Sequence, residues 1–181
     1  MPIVVVQHMP PIFTRLLAER LASQSQVAVA EGAAGIDLVP GHAWIAPGNF
    51  HMTVRSGVHP RLDLNQAPHQ HSCRPAVDVL FRSVAAAYRA GGLGVVMTGM
   101  GSDGVLGAQC IREAGGQIII QDEASAVVWG MPGLVYAAGQ ADGVYPLDQL
   151  APEIARRVLQ SRVPQASSLS RQPDVLEPQA K

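Results

Sequence analysis

The sequence predicts an α/β fold: a doubly wound, mostly parallel sheet in three layers, with inserted hairpins. Three observations carry this. Short β-branched runs alternate with longer stretches of helical periodicity. A strand, a glycine turn, a helix and a second strand follow one another over 93–121, the pattern of a parallel crossover. Hydrophobic residues make up 48% of the 181 and charged residues 15%, enough for one packed domain of the usual ~100–200 residues.

Ile3-Val4-Val5-Val6 is continuously apolar and reads as a strand buried on both faces. Pro10 and Pro11 end it, because proline has no N–H for the ladder and suits the first turn of a helix. That helix sets Phe13, Leu16, Leu17, Arg20 and Leu21 on one face. Four strand-like pieces follow, at 27–30, 43–46, 52–54 and 61–64. Turns at Pro40-Gly41, Pro47-Gly48-Asn49 and Ser56-Gly57 separate them, which reads as hairpins set into the α/β core.

The clearest helix covers 75–90, with Val77, Leu80, Phe81, Val84 and Tyr88 in one stripe. Ser72 is its expected cap, and Asp78 with Arg82 an expected exposed i,i+4 pair. The crossover then runs as strand 93–97, turn 98–104, helix 105–114 and strand 117–121. A segment over 123–139, a strand near Val144-Tyr145, and a helix carrying Leu147, Leu150, Ile154 and Val158 complete a domain over 1–163. Over 164–181 Pro, Ser, Gln and Arg dominate without periodicity, which reads as a disordered tail.

Composition excludes several classes. Thirteen basic residues against fourteen acidic give a net charge of −1, so the basic excess of a nucleic-acid binder is missing. No apolar run approaches the ~18 residues of a membrane span. Two cysteines make neither a disulfide framework nor a four-ligand zinc site. A soluble, cytoplasmic, single-domain protein is the expectation.

The densest chemical signal is Thr98-Gly99-Met100-Gly101-Ser102-Asp103-Gly104, between a strand and a helix. One reading is a tight turn whose glycines adopt positive φ, with Ser102 or Asp103 as helix cap. A second is a dinucleotide fingerprint, since Gly99, Gly101 and Gly104 spell G-x-G-x-x-G and Asp122 lies where a ribose-binding acid belongs. Against it, Asp103 would set a carboxylate beside the pyrophosphate. The third makes Asp103 the orienter of a catalytic histidine. His8 fits that role, because it follows a parallel strand at its carboxyl end, where open α/β sheets gather functional groups. A turn histidine with backbone partners is the bland alternative.

Taken in order, the motifs resemble one family. Val5-Val6-Gln7-His8-Met9-Pro10-Pro11 with Phe13-Thr14 resembles the histidine segment of the CheB-type protein-glutamate methylesterases of bacterial chemotaxis. Pro40-Gly41-His42-Ala43, Ile45-Ala46-Pro47-Gly48-Asn49 and His51-Met52 are similar to its central hairpins. Arg74-Pro75-Ala76-Val77-Asp78-Val79-Leu80-Phe81 resembles its long helix, and the turn over 98–104 its aspartate loop. Glu123-Ala124-Ser125 and Gly130-Met131-Pro132 resemble its closing segment.

The resemblance implies a Ser-His-Asp hydrolase acting on glutamate methyl esters of chemoreceptor helices, with deamidation of receptor glutamines as a related reaction. His8 would be the general base, Asp103 its orienter, and the backbone amide of Met100 an oxyanion-hole donor. No metal or cofactor is implied, and the partners are the receptors' cytoplasmic methylation helices.

The family's serine lies upstream of its histidine, in a Gly-x-Ser-Thr-Gly-Gly turn between a strand and a helix. The sequence contains no such segment, so the resemblance implies that this first βα unit and the family's receiver domain are missing. Ser102 sits beside the orienter, on the wrong side for a relay to His8. Ser23, Ser25, Ser72, Ser83 and Ser125 lack a nucleophile-elbow context, and Cys110 falls in an apolar helix.

Loss of an interior strand would also leave its two neighbours with unpaired backbone, at ~1–3 kcal/mol per buried group. Two explanations follow: a longer native enzyme, or a short, inactive receptor-binding module. His42, His51, His59, His69 and His71 carry no metal-site anchor, and His69-x-His71 reads first as a solvated loop. Arg74 reads as a cleft neighbour or a surface arginine, and Trp44 and Trp129 as core or cleft-wall aromatics.

Overall fold

The computed structural model describes residues 1–160, and its β-branched runs form two separate three-stranded parallel sheets. In the first, β1 (Ile3–Val5) and β2 (Ala28–Glu31) flank β3 (His42–Ile45). Ile3, Val4 and Val5 stand opposite Ala43, Trp44 and Ile45. In the second, β6 (Leu93–Val96), β7 (Gln117–Gln121) and β8 (Gly143–Tyr145) lie side by side in chain order. A hairpin of β4 (His51–Arg55) and β5 (Arg61–Asn65) is the one antiparallel pair among these strands. The mixed, mostly parallel α/β class expected from the sequence is therefore the class observed.

Helix α1 (Pro11–Gln24) packs on β2 and β3 of the first sheet. Helices α3 (Val105–Glu113), α4 (Met131–Ala137) and α5 (Leu147–Gln160) pack against the second. Helix α2 (Val77–Tyr88) lies between α3 and the hairpin. It feeds Val77 and Ala85 into one core with Ile111, Ile118 and Ile120, and Leu80 into another with Trp44, Met52 and Leu62. Ile118, Ile119 and Ile120 are fully buried. Each such side chain stabilises the fold by ~1.5–3 kcal/mol relative to exposure.

Several expectations need correction. The pieces at 27–30 and 43–46 are not hairpin arms: β2 and β3 run parallel, joined by a connection over 32–41 that crosses over instead of turning back. The run Ile3–Val6 is not buried on both faces; Ile3 is exposed and Val4, Val5 and Val6 are half-buried, because β1 is an edge strand with β3 as its partner. In α1 the core-facing residues are Thr14 and Ala18, while Phe13, Leu16 and Leu21 are exposed. Helix α2 begins at Val77, not Pro75, and Ser72 does not cap it. The tail expected over 164–181 lies outside the described residues.

Between β1 and β6 no strand pairs either edge among the described residues. An open, mainly apolar channel of about 380 Å³ runs there, with Val4 and Val6 on one side, Val95 on the other, and Leu80, Phe81 and Val84 of α2 along it.

Candidate active site

The site is assembled at the carboxyl ends of β1 and β6. His8 stands just beyond β1, and Asp103 at the end of the glycine turn beyond β6. Residues 95 apart in sequence thereby meet: His8 Nε2 lies 2.8 Å from Asp103 Oδ2. An ionised carboxylate only accepts, so Nε2 carries the hydrogen. Nδ1 of His8 then has no partner among the described residues.

Asp103 is almost completely buried. Its Oδ2 also accepts the Val77 N–H at 2.6 Å, and its Oδ1 the Asp78 N–H at 2.9 Å. Asp103 therefore caps α2, a job its own N-cap residue Ala76 cannot do with a side chain. Burial pushes the Asp103 carboxyl up. The His8 hydrogen bond and the two backbone N–H groups outweigh burial and hold it below the ordinary Asp value.

The turn itself is rigid for local reasons. Gly101 and Gly104 have φ of 98° and 102°, a region that side-chain-bearing residues rarely enter. Gly99 accepts the N–H groups of Gly130 and Met131 at its carbonyl, and donates its own N–H to Val128. Thr98 N–H donates to the buried side chain of Gln121, whose amide in turn donates to the Ser125 carbonyl. The Gly130-Met131-Pro132 segment thus clamps the aspartate turn. Met100 projects into solvent, and its N–H meets no acceptor among the described residues.

On the histidine side, Gly48 packs directly on the Pro10–Pro11 backbone, where a Cβ would sit 2.6 Å from Pro10 C. Gly48 N–H donates to the buried hydroxyl of Thr14. Beside His8 opens a cleft of about 480 Å³, lined by Met9, Asn49, His69, Cys73 and Arg74. The Arg74 guanidinium donates to Asn49 Oδ1 and to the carbonyls of Gln66 and Ala67, so it braces the cleft rim. Burial pushes the Cys73 thiol up, and the Asp103 charge adds to this, which disfavours a thiolate nucleophile.

The dinucleotide reading meets a physical obstacle. Gly104 and Gly107 N–H groups at the start of α3, which would cradle a phosphate, both donate to Asp78 Oδ1 at 3.0 and 2.6 Å. Asp122 accepts the N–H and hydroxyl of Ser125. Asp78 is the principal residue that sequence reasoning misplaced. Instead of pairing with Arg82 at the surface it is fully buried and bonded to His71, while Arg82 bonds Gln70. Spacing alone could not have found it, because the docking of α3 on α2 is what buries Asp78. His71, Asp78 and Asp103 lie close enough to share a cation, but both carboxylates already accept histidine and backbone N–H groups. Gln121 was missed too; nothing local marks a strand-end glutamine as buried.

Comparisons with known proteins identify the family. The CheB methylesterase family model matches residues 1–154. A protein-glutamate methylesterase/protein-glutamine glutaminase of Trichodesmium erythraeum is 57% identical over 158 residues, which are 87% of this chain and 45% of that protein. One from Nocardioides sp. is 51% identical over 162 residues, 89% of this chain and 44% of that protein. The chain thus spans a little under half the length of these curated relatives. The crystal structure of the Thermotoga maritima CheB methylesterase catalytic domain matches with a TM-score of 0.82 at 39% identity, covering 88% of this chain and 83% of that one. With a histidine–aspartate pair at the strand ends of the same fold, the chain belongs to the CheB methylesterase family.

Proposed function

We propose that this chain holds the histidine–aspartate half of an esterase centre that hydrolyses glutamate methyl esters on chemoreceptor helices. The nucleophilic serine would arrive on a strand lying between β1 and β6. The observation that carries this is the 2.8 Å His8–Asp103 pair at the head of the open channel. His8 follows the carboxyl end of β1 and Asp103 that of β6, so a strand parallel to both would end at His8. Among the described residues no serine hydroxyl bonds His8.

In this reading Asp103 fixes the His8 tautomer and faces the positive charge that forms on the ring. His8 takes the serine proton as the hydroxyl attacks the ester carbonyl, then returns it to the departing methanol. Water repeats the sequence and frees the glutamate. The Met100 N–H, without an acceptor among the described residues, is available to the oxyanion, where one such donor is typically worth ~3 kcal/mol of barrier. Glutamine deamidation is the same acyl chemistry with ammonia leaving, in keeping with the double name of the relatives. The catalytic domain is residues 1–163, its partners are receptor methylation helices, and it works in the cytoplasm, where those helices lie. No metal or cofactor enters.

The test is methanol release from methyl-esterified receptor helices. The 181-residue chain should release none. The same chain preceded by a strand–turn–helix unit bearing Gly-x-Ser-Thr-Gly-Gly should release methanol, and His8→Ala should abolish it. Methanol from the unextended chain, or from the extended chain carrying His8→Ala, would overturn the proposal.

A further inference from the structure

We propose that Ser102, His71 and Asp78 form a second hydroxyl–imidazole–carboxylate relay, which makes the Ser102 hydroxyl a nucleophile toward small, unhindered activated esters. No step of it passes through His8, so it stands apart from the glutamate-ester reading.

The geometry is that of a relay built on a buried acid. Asp78 is fully buried, with Oδ1 taken by the N–H groups of Gly104 and Gly107 and Oδ2 lying 2.8 Å from His71 Nε2. Because the carboxylate only accepts, Nε2 of His71 carries the hydrogen and Nδ1 keeps its lone pair. Ser102 Oγ lies 3.2 Å from that Nδ1. A mere clamp of the 69–73 loop onto α2 would need only the His71–Asp78 bond; a hydroxyl on the ring's other nitrogen adds what proton transfer requires.

Two more features point the same way. His71 and Ser72, at φ of 50° and 62°, are the two central residues of a tight turn closed by the reciprocal Gln70–Cys73 backbone bonds, which fixes where the imidazole stands. The N–H of exposed Ser102 meets no acceptor among the described residues, which leaves a donor beside Oγ for a developing oxyanion. Ser102 and His71 are exposed, and neither lines the cleft beside His8, so the substrate must be small enough to react at an open surface.

In the reaction the Ser102 proton passes to His71 Nδ1 as Oγ bonds the ester carbonyl. The imidazolium returns it to the leaving alkoxide as the ester C–O bond breaks. Water then attacks the acyl-serine, His71 again moving the proton, and the acid departs with Ser102 restored.

The experiment treats the full 181-residue chain with a fluorophosphonate and, separately, with p-nitrophenyl acetate, and locates adducts by peptide mass spectrometry. One adduct, on Ser102, is expected. Ser102→Ala should remove it, His71→Asn should slow its formation at least tenfold, and Ser23→Ala should leave it within twofold. Asparagine is chosen because it tolerates left-handed backbone, and unchanged thermal melting checks the fold. No adduct on Ser102, or an adduct formed as fast in His71→Asn, would overturn the relay. Neither readout needs a receptor or an added strand, so failure here leaves the glutamate-ester proposal untouched.

Discussion

Asp103 and Asp78 cap each other's helices. Asp103, one residue before the Gly104 N-cap of α3, accepts the first two N–H groups of α2, while Asp78, in the first turn of α2, accepts the N–H groups of Gly104 and Gly107. Each buried carboxylate then has one oxygen facing a histidine, His8 on Asp103 and His71 on Asp78. Helix N-termini favour negative charge, so the exchange holds both acids in place at the one position where their burial is offset. The proposed catalytic pair and the α2–α3 contact share one set of bonds.

Replacing Asp103 should therefore cost stability as well as activity. In Asp103→Asn, one oxygen becomes an NH₂ group facing a donor, either Val77 or Asp78. A loss of ~1–3 kcal/mol in urea unfolding is expected. In the strand-extended chain, methanol release should fall by ~10³–10⁴, as when a relay histidine loses its orienter. Full stability in Asp103→Asn would refute the cap.

The same carboxylate gives a sign for pH dependence. Burial raises the Asp103 carboxyl, and the His8, Asp78 and Val77 hydrogen bonds bring it net below the unfolded value. A lowered folded value means that this stabilisation is complete above the unfolded Asp value of ~3.9 and disappears as pH falls through the folded one. Urea midpoints measured from pH 7 down to pH 3 should fall more steeply for the wild-type chain than for Asp103→Asn. Parallel curves would contradict the assignment.

Gly48→Ala tests the histidine side. A Cβ there would sit 2.6 Å from Pro10 C and 2.7 Å from Pro11 Cα, both backbone atoms that cannot swing aside. The 8–11 segment must shift, at ~1–3 kcal/mol. Unfolding should show that loss, and methanol release by the strand-extended chain should drop with it. An unchanged midpoint would mean that the two loops do not touch.

Local patterns made part of this legible. The crossover from β6 through α3 to β7 follows from apolar runs broken by glycines, and His8 and Asp103 follow from their positions after parallel strands. What was not legible depends on long-range packing. That β2 and β3 run parallel goes with the insertion of β3 between β1 and β2, a pairing that joins segments distant in sequence. Asp78 reads as a surface partner of Arg82 by spacing alone; only the docking of α3 on α2 buries it. The outward Phe13 and Leu16 defeat a periodicity argument, which counts apolar side chains without knowing that Thr14 fills the core position. Thr14 does so because its hydroxyl is fully used, by Glu31 at 2.7 Å and by Gly48 N–H.

Gly130→Ala probes the aspartate side with the same logic and a different consequence. Its Cβ would meet Gly99 O at 2.5 Å and Met100 Cα at 3.1 Å. Gly99 cannot yield without breaking the bonds its carbonyl accepts from Gly130 and Met131, so the turn over 98–104 must move as a unit. That displaces the Met100 N–H, and with it Asp103 beneath His8, while leaving Gly48 alone. A loss of ~1–3 kcal/mol in stability is expected. Beyond it, kcat for methanol release by the strand-extended chain should fall by ~10²-fold with KM little changed, because an oxyanion donor acts on the transition state. If KM rises instead and kcat holds, the turn binds receptor and does not stabilise the oxyanion.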